Sequence, residues 1–318
     1  MINKLPYLSL IVGCTLFASI TIILKWFDIS IAYHMVGIFS ISVFMAMYIL
    51  QRAAKRHYKE GTRYNFRLGS LFHNPNRLVV GLFFTLYSIT VYYGFRTVPA
   101  SVALPVYMTA PVLLLLFSNR INGSPINAGQ LVSVLVCFLG VILVAHSHPV
   151  KDVQYIRGVL ALVLSAMGYA LTYVMMQYQP GRSFLKNAVT AAHLSERDGT
   201  LWEKMHMQLY NTNTLPLLVA ILYIVLKRPT APSIGTVAIL FPIYVITGYL
   251  SQLCYLYAYN HLPISTYGAL ENTAVIAGLI IGAFVLGEKI TPQRLFGAAL
   301  IVGGIVGETR MRDKINGV

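Results

Sequence analysis

The sequence predicts an all-α integral membrane protein with ten transmembrane helices in two inverted five-helix repeats. Three observations support this fold class. Hydrophobic residues make up 57% of the 318 residues, charged residues only 11%, and the mean hydropathy is +0.67, unlike a soluble domain. Apolar runs of spanning length recur along the whole chain. The stretch from Tyr93 to His146 also aligns without a gap with the stretch from Tyr257 to Arg310.

Ten apolar segments are long enough to cross a membrane as helices. Crossing about 30 Å of hydrocarbon takes about 20 mainly apolar residues, and backbone groups in lipid must be hydrogen-bonded within a helix or a closed barrel. These runs are too long and too evenly apolar for alternating barrel strands. The first run lacks a small-residue cleavage site, so we expect a retained span. The predicted spans are Leu5–Leu24, Ile29–Leu50, Leu78–Phe95, Val98–Ser118, Ala128–Ala145, Ile156–Tyr178, His206–Leu226, Ile234–Tyr259, Leu262–Leu286 and Pro292–Val306.

The internal alignment indicates a duplication. Ten positions are identical in the two stretches, including Pro99 with Pro263 and Ser101 with Ser265. Five spans precede the linker Ser147–Tyr155 and five follow it. An odd number of spans makes the second copy enter the membrane from the opposite side. We therefore expect inverted repeats at residues 1–146 and 156–310, with a site at their interface.

The formal charge of +14 is explained by topology. With the amino terminus inside, 16 of the 24 basic residues fall on the cytoplasmic side, as the positive-inside rule requires. We therefore predict a multi-pass protein of the cell inner (cytoplasmic) membrane with both termini cytoplasmic, and no nucleic-acid partner. Two cytoplasmic loops are long. Gln51–Asn76 is basic and aromatic, and is either a segment on the anionic leaflet or a solvated loop.

The second long loop, Gly181–Met205, ends in Thr200-x-x-Glu203. This spacing is typical of a capping box and predicts the start of the seventh helix. The glycines of the last two predicted spans, such as Gly278, Gly282, Gly303 and Gly307, are expected to permit close helix contact, either between those two helices or with another chain.

Glu271 is the acidic residue whose position is most informative. It lies roughly nine residues into the ninth predicted span, about 12 to 14 Å deep at 1.5 Å per residue. A charge there costs on the order of 3 kcal/mol or more unless it faces a polar interior. Glu271 is therefore a candidate proton carrier and, with Asn272 beside it, a candidate solute ligand. The alternative is a structural pairing with a neighbouring helix.

Polar aromatic residues provide the other candidate ligands. Tyr169 and Tyr173 share a helix face at i, i+4 spacing. Such residues can form an aromatic, hydrogen-bonding lining for a small organic solute, although packing or an interfacial belt explains any single tyrosine equally well. Cys14, Cys137 and Cys254 are expected to be small apolar fillers. The predicted substrate-binding residues besides Glu271 and Asn272 are Tyr87, Tyr107, Tyr169, Tyr173, Tyr244 and Gln252.

Catalytic and cofactor motifs are missing from the sequence. It has no His-Glu-x-x-His, no Gly-x-Ser-x-Gly and no phosphate-binding Gly-x-x-x-x-Gly-Lys-Ser/Thr. We therefore expect no enzyme activity, no cofactor and no metal, and an ion gradient, exchange or a substrate gradient as the energy source. An intramembrane enzyme and a non-transporting scaffold or sensor remain as alternatives.

Two segments carry a family resemblance. LENTAVIAGLIIGAFVLGEKITPQRLFGAALIVGGIV, from Leu270 to Val306, resembles the closing half of an EamA domain, and ALPVYMTAPVLLLLFSNRINGSPINAGQLVSVLVCFLGVILV, from Ala103 to Val144, resembles its first-half counterpart. The resemblance implies the drug/metabolite transporter superfamily, with inverted repeats and alternating access. One departure is that Gly287-Glu288 keeps the Gly-Glu pair of the family, whereas the first half has Gly123-Ser124.

These observations predict a secondary transporter of a small organic metabolite, such as an amino acid or a related compound. Alternating access would take place around a midplane cavity between the repeats. The resemblance favours export. The expected partners are the metabolite, membrane lipids and protons, and the expected assembly is a monomer or homodimer.

Overall fold

The computed structural model describes residues 4–59, 75–147, 152–177 and 200–316, apart from residues 111, 115, 118–127, 263–266, 268–269 and 272. The described residues form helices and no strands, which confirms the all-α class. Two of the helical segments, Val245–Leu250 and Ile281–Val285, are π-helices. The α-helices are α1 (Leu5–Ala18), α2 (Ile20–Trp26), α3 (Ile31–Lys59), α4 (Pro75–Thr97), α5 (Ala100–Tyr107), α6 (Ala128–His146), α7 (Val153–Gln177), α8 (Leu201–Lys227), α9 (Ile234–Tyr244), α10 (Ser251–His261), α11 (Thr273–Ile280) and α12 (Pro292–Asn316).

Within the described ranges, six helical segments are long and apolar enough to cross a membrane: Leu5–Trp26, Ile31–His57, Arg77–Thr97, Val153–Met176, Leu201–Lys227 and Ile234–His261. Shorter apolar helices cover Ala100–Leu114, Leu131–His146 and Thr273–Val285. These helices overlap the first nine predicted spans, and α12 begins at the residue predicted for the tenth. The total of ten spans and the inverted repeats stay predictions.

Two helices begin with a proline. Pro75 and Pro292 are the first residues of α4 and α12. A backbone N–H at this position has no acceptor within the helix, so its absence in proline costs no hydrogen bond. Pro105 lies inside α5, where it lacks the backbone N–H that would bond to the preceding turn. Pro111 and Pro263 lie outside the described residues.

The predicted loop Gln51–Asn76 is shorter than expected. Helix α3 continues to Lys59, and α4 already begins at Pro75. The prediction placed the boundary where the apolar run stops, but the residues after Leu50 are good helix formers and extend α3. At the other long loop the capping box is confirmed. The Thr200 hydroxyl accepts from the backbone N–H of Glu203, whose carboxylate accepts from the N–H of Thr200.

The helices group into two compact units. Unit 1 consists of Met1–Asp28, Leu86–Ala170 and Leu253–Val318, and unit 2 of Ile29–Thr85 and Leu171–Gln252. Their boundaries fall inside α4 and α7 and near the start of α10. Each unit therefore takes helices from both predicted repeats.

In unit 1, glycines bring α6 and α12 into backbone contact. A Cβ on Gly140 would lie 2.6 Å from the carbonyl oxygen of Gly297, and one on Gly304 would lie 2.7 Å from that of Ser133. Gly297, Gly304 and Gly307 of α12 therefore face α6 rather than α11, whereas Gly303 has no neighbouring atom within 4 Å. Gly278 of α11 faces Leu104 of α5 instead. Apolar patterning alone does not determine which neighbour a small-residue face contacts.

In unit 2, α3 packs along α8 and against the π-helical segment that follows α9. Gly37 of α3 allows the Tyr244 ring to approach, since a Cβ there would lie 2.3 Å from a ring carbon. Phe39 of α3 meets Phe84 of α4 with ring centroids 6.1 Å apart.

Candidate functional site

Glu271 lies in unit 1, just before α11, and its residue surface is only 2% exposed. The Tyr169 hydroxyl, from α7, donates a hydrogen bond to its Oε1. The hydroxyls of Tyr169 and Tyr267 are 3.1 Å apart. A buried carboxyl therefore meets two phenol groups from different parts of the chain.

Three predicted tyrosines form a ring cluster beside this carboxyl. The ring centroids of Tyr87 and Tyr169 are 5.5 Å apart, those of Tyr107 and Tyr169 5.8 Å, and those of Tyr87 and Tyr107 5.9 Å. These spacings are within the range of favourable aromatic pairs. The rings of Phe17 and Phe95 lie 5.4 and 6.0 Å from that of Tyr107. Aromatic residues of α1, α4, α5 and α7 thus form one cluster, and Tyr169 joins this cluster to the Glu271 carboxyl.

Sequence reasoning missed two neighbours of Glu271. Tyr267 lies four residues earlier, a spacing that puts two helical residues on one face, and this signal was available. The other neighbour is Cys14 of α1, which the sequence predicts to be a small apolar filler. It is fully buried with its Sγ 3.8 Å from the Glu271 carbonyl oxygen, and it accepts a hydrogen bond from the Tyr255 hydroxyl at 3.3 Å. No spacing in the sequence pointed to that contact.

The second carboxylate oxygen of Glu271 is also buried. Among the described residues, no hydrogen bond to Oε2 is formed. Asn272, the predicted companion of Glu271, lies outside the described residues. In such a buried carboxyl, one oxygen accepts a hydrogen bond from a phenol and the other accepts none from the described residues. The second oxygen can hold a proton or face a cationic group.

The remaining predicted ligands belong to unit 2. Tyr173 is buried in α7. The Tyr244 hydroxyl lies 2.6 Å from His34 Nδ1, and Gln252 Oε1 accepts from Asn213 Nδ2 at 2.6 Å. Their participation in one site with Glu271 stays a prediction.

Glu288 forms a second polar centre in unit 1. Its Oε1 accepts from the backbone N–H of Ala100 at 2.7 Å, and its Oε2 accepts from the N–H and hydroxyl of Ser101 at 2.9 and 2.5 Å. The carboxylate therefore caps the first turn of α5, whose own N-cap, Pro99, has no capping side chain. At its far end α5 carries Tyr107.

Two cations complete this centre. Lys25 Nζ lies 3.8 Å from Glu288 Oε1. Arg294 is buried and donates to the Ser101 hydroxyl at 2.7 Å, the Lys289 carbonyl at 2.9 Å and the Ser147 hydroxyl at 3.0 Å. One network thus connects α2, α5, the end of α6 and α12.

Gly287 provides the turn that presents Glu288. Its φ of +66° is in the left-handed region that favours glycine. The Glu288 N–H then bonds to the Gly282 carbonyl at 2.7 Å. The Gly-Glu pair noted in the sequence is therefore a turn followed by a helix cap. Its counterpart in the first half, Gly123-Ser124, lies outside the described residues.

Comparison with known proteins gives the family. The sequence model of the EamA-like transporter family matches residues 4–146 and 204–308. The chain belongs to the EamA-like transporter family. This family is part of the drug/metabolite transporter superfamily. The protein is therefore a multi-pass membrane protein, and its family indicates a transporter rather than an enzyme.

Two further similarities extend this result. The chain is 27% identical over 100 residues to "Uncharacterized transporter YxxF" of Bacillus subtilis (strain 168), and the alignment covers 31% of this chain. It spans 32% of that relative, about a third of its length. A protein of known crystal structure is similar in fold, with a TM-score of 0.59 and 13% identity over 96% of this chain and 98% of the other.

Proposed function

We propose that this EamA-family protein is a secondary transporter of a small organic metabolite, such as an amino acid or a related compound, with export as its net direction. It would lie in the cell inner membrane with both termini in the cytoplasm. The distribution of basic residues between the predicted spans supports this orientation. The sequence contains no ATP-binding loop, which supports a gradient or exchange as the energy source.

The observation that carries this proposal is the buried carboxyl of Glu271 among tyrosines. Glu271 would bind a proton or a cationic group of the solute. Tyr169, which donates to the carboxyl, and the neighbouring rings of Tyr87 and Tyr107 would orient the solute. Aromatic faces also attract an amine, since the ring quadrupole is negative above its plane. A carboxyl with aromatic rings around it is therefore suited to a small solute with a polar or cationic end.

The proposed mechanism is alternating access. Two inverted repeats would rock around a cavity near the bilayer midplane and expose it to each side in turn. Asn272, Tyr173, Tyr244 and Gln252 are the further solute ligands that the sequence predicts. Proton binding at Glu271 would then couple the solute to the proton gradient.

A thermal-shift screen followed by flux measurement tests the function. The purified protein is screened against amino acids, amines and related metabolites, because a bound solute stabilises the folded state by mass action. We expect at least one solute to raise the melting temperature and to cross proteoliposome membranes only when the protein is present. If no compound stabilises the protein and none is transported, the scaffold or sensor interpretation is favoured instead.

A further inference from the structure

The last turns of α3 present a cationic face. Arg52, Lys55, Arg56 and Lys59 follow one another at i, i+3, i+4 and i+7, which places them on the same side of the helix. All four are exposed, and the buried Ala53 lies at the base of the same surface. Four cations therefore lie within two turns of the end of the candidate span Ile31–His57.

The start of α8 forms the other wall of a cavity at this face. Both helices belong to unit 2. The cavity has a volume of about 610 Å³, and α8 and its cap contribute Thr200, Trp202 and Glu203 to it. Glu203 forms an ion pair with Arg56. Among the described residues that line the cavity, Glu203 is the carboxylate that faces the four cations, so the cavity has a net positive charge.

The same side of α3 becomes apolar toward the middle of the helix. Phe44, two turns before Arg52, is 65% exposed, and Tyr48, one turn before it, is 51% exposed, with Met45 exposed beside them. The Arg52 guanidinium lies 5.0 Å from the centre of the Tyr48 ring. From Phe44 to Arg52 the axial distance is about 12 Å at 1.5 Å per residue. One helix side thus joins an exposed apolar stripe to a cationic cavity.

We propose that this cavity binds the phosphate headgroup of an anionic phospholipid. Arg52 and Lys55 contact the phosphate, while Arg56 stays paired with Glu203. The acyl chains lie along Phe44, Met45 and Tyr48. Trp202, 46% exposed, lies at the headgroup level, where amphipathic aromatic rings are enriched. In the proposed topology this leaflet is cytoplasmic, where anionic lipids attract basic residues next to a span.

The apolar stripe favours a lipid over a free anion. Inorganic phosphate shares the charge of the headgroup but gains nothing from Phe44 or Tyr48. A phospholipid uses both parts of the surface. The inference is independent of the transported solute, since it involves only the exposed side of α3 and the first turn of α8.

Native mass spectrometry and thermal unfolding of the full-length protein in detergent test the proposal. The probes are phosphatidylglycerol, phosphatidylcholine and inorganic phosphate, each added alone. We expect phosphatidylglycerol to be retained and to raise the melting temperature, and the other two to have little effect. The double variant Arg52→Gln/Lys55→Gln should weaken phosphatidylglycerol binding by about tenfold or more, since it removes two cations at the headgroup.

Two controls make the result specific. Arg157→Gln/Lys227→Gln removes the same charge from exposed positions elsewhere and should bind phosphatidylglycerol as the wild type does. Arg52→Lys/Lys55→Arg keeps the charge and should retain binding. Equal binding of phosphatidylglycerol by the wild type and the Arg52→Gln/Lys55→Gln variant would overturn the proposal. Equal stabilisation by inorganic phosphate would also overturn it and indicate a site for free anions.

Discussion

The carboxylate of Glu288 caps a helix whose Ser101 lies 187 residues earlier in the chain. Its Oε2 accepts both the backbone N–H and the hydroxyl of Ser101, at 2.9 and 2.5 Å. Helix caps usually come from the residue just before the helix, but here that residue is Pro99, which has no polar side chain. A residue from the second half of the sequence thus fixes the start of α5, and α5 carries Tyr107 beside Tyr169.

Replacing Glu288 should therefore destabilise the protein. We expect Glu288→Ala to lower the free energy of unfolding by about 2 kcal/mol, because it leaves the first N–H groups of α5 and the Ser101 hydroxyl without their acceptor. Adding Pro99→Asp supplies a local cap and should restore part of the loss. Denaturant or thermal unfolding in detergent measures both, with the exposed Lys289→Ala as control. A Glu288→Ala protein as stable as the wild type would show that the cap contributes little.

The contact between α6 and α12 should depend on one glycine and not on its neighbour. A Cβ at Gly304 would lie 2.7 and 2.9 Å from backbone atoms of Ser133 and Cys137, so the helices must separate. Gly304→Ala should cost about 1 to 3 kcal/mol of stability. At Gly303 nothing lies within 4 Å, and Gly303→Ala should be neutral or stabilising by up to about 1 kcal/mol. Thermal unfolding of the Gly304→Ala and Gly303→Ala proteins measures both effects. Equal losses of stability in the two variants would contradict the close contact of α6 with α12 at Gly304.

The hydroxyl of Tyr169 should contribute more to the free energy of unfolding than the hydroxyl of an exposed tyrosine. Tyr169→Phe removes the donor to Glu271 Oε1 and leaves a buried oxygen without it, a change that typically costs about 1 to 3 kcal/mol. Tyr223→Phe, on the exposed side of α8, should stay within about 0.5 kcal/mol of the wild type. The two unfolding free energies are compared in the same detergent. A loss at Tyr223 as large as that at Tyr169 would contradict the assigned hydrogen bond.

Much of the helical architecture could be predicted from the sequence. Apolar runs predict spans because a helix that crosses lipid must present apolar side chains. Pro292 and the capping box Thr200-x-x-Glu203 predict helix starts from neighbouring residues alone. The end of α3 was placed too early, since helix propensity continues beyond the apolar run. Local patterns therefore predict where a span lies better than where its helix ends.

The candidate site was only partly predictable. The sequence places Glu271, Tyr87, Tyr107 and Tyr169 deep in predicted spans. This position predicts that they bind the solute. The contact of Cys14 with Glu271 depends on how α1 packs against the segment before α11, and apolar periodicity does not determine that register. The cap formed by Glu288 requires two segments far apart in the chain to meet, which no local spacing reveals.

Flux in proteoliposomes tests the proposed coupling of solute movement to protons at Glu271. A solute found in the thermal-shift screen is followed with an imposed pH gradient, for the wild type and for Glu271→Gln, which keeps the size of the side chain and removes its ionisable group. We expect the pH gradient to drive flux in the wild type and this proton-linked flux to be abolished in Glu271→Gln. Glu271→Gln flux with the pH dependence of the wild type would rule out Glu271 as the coupling residue.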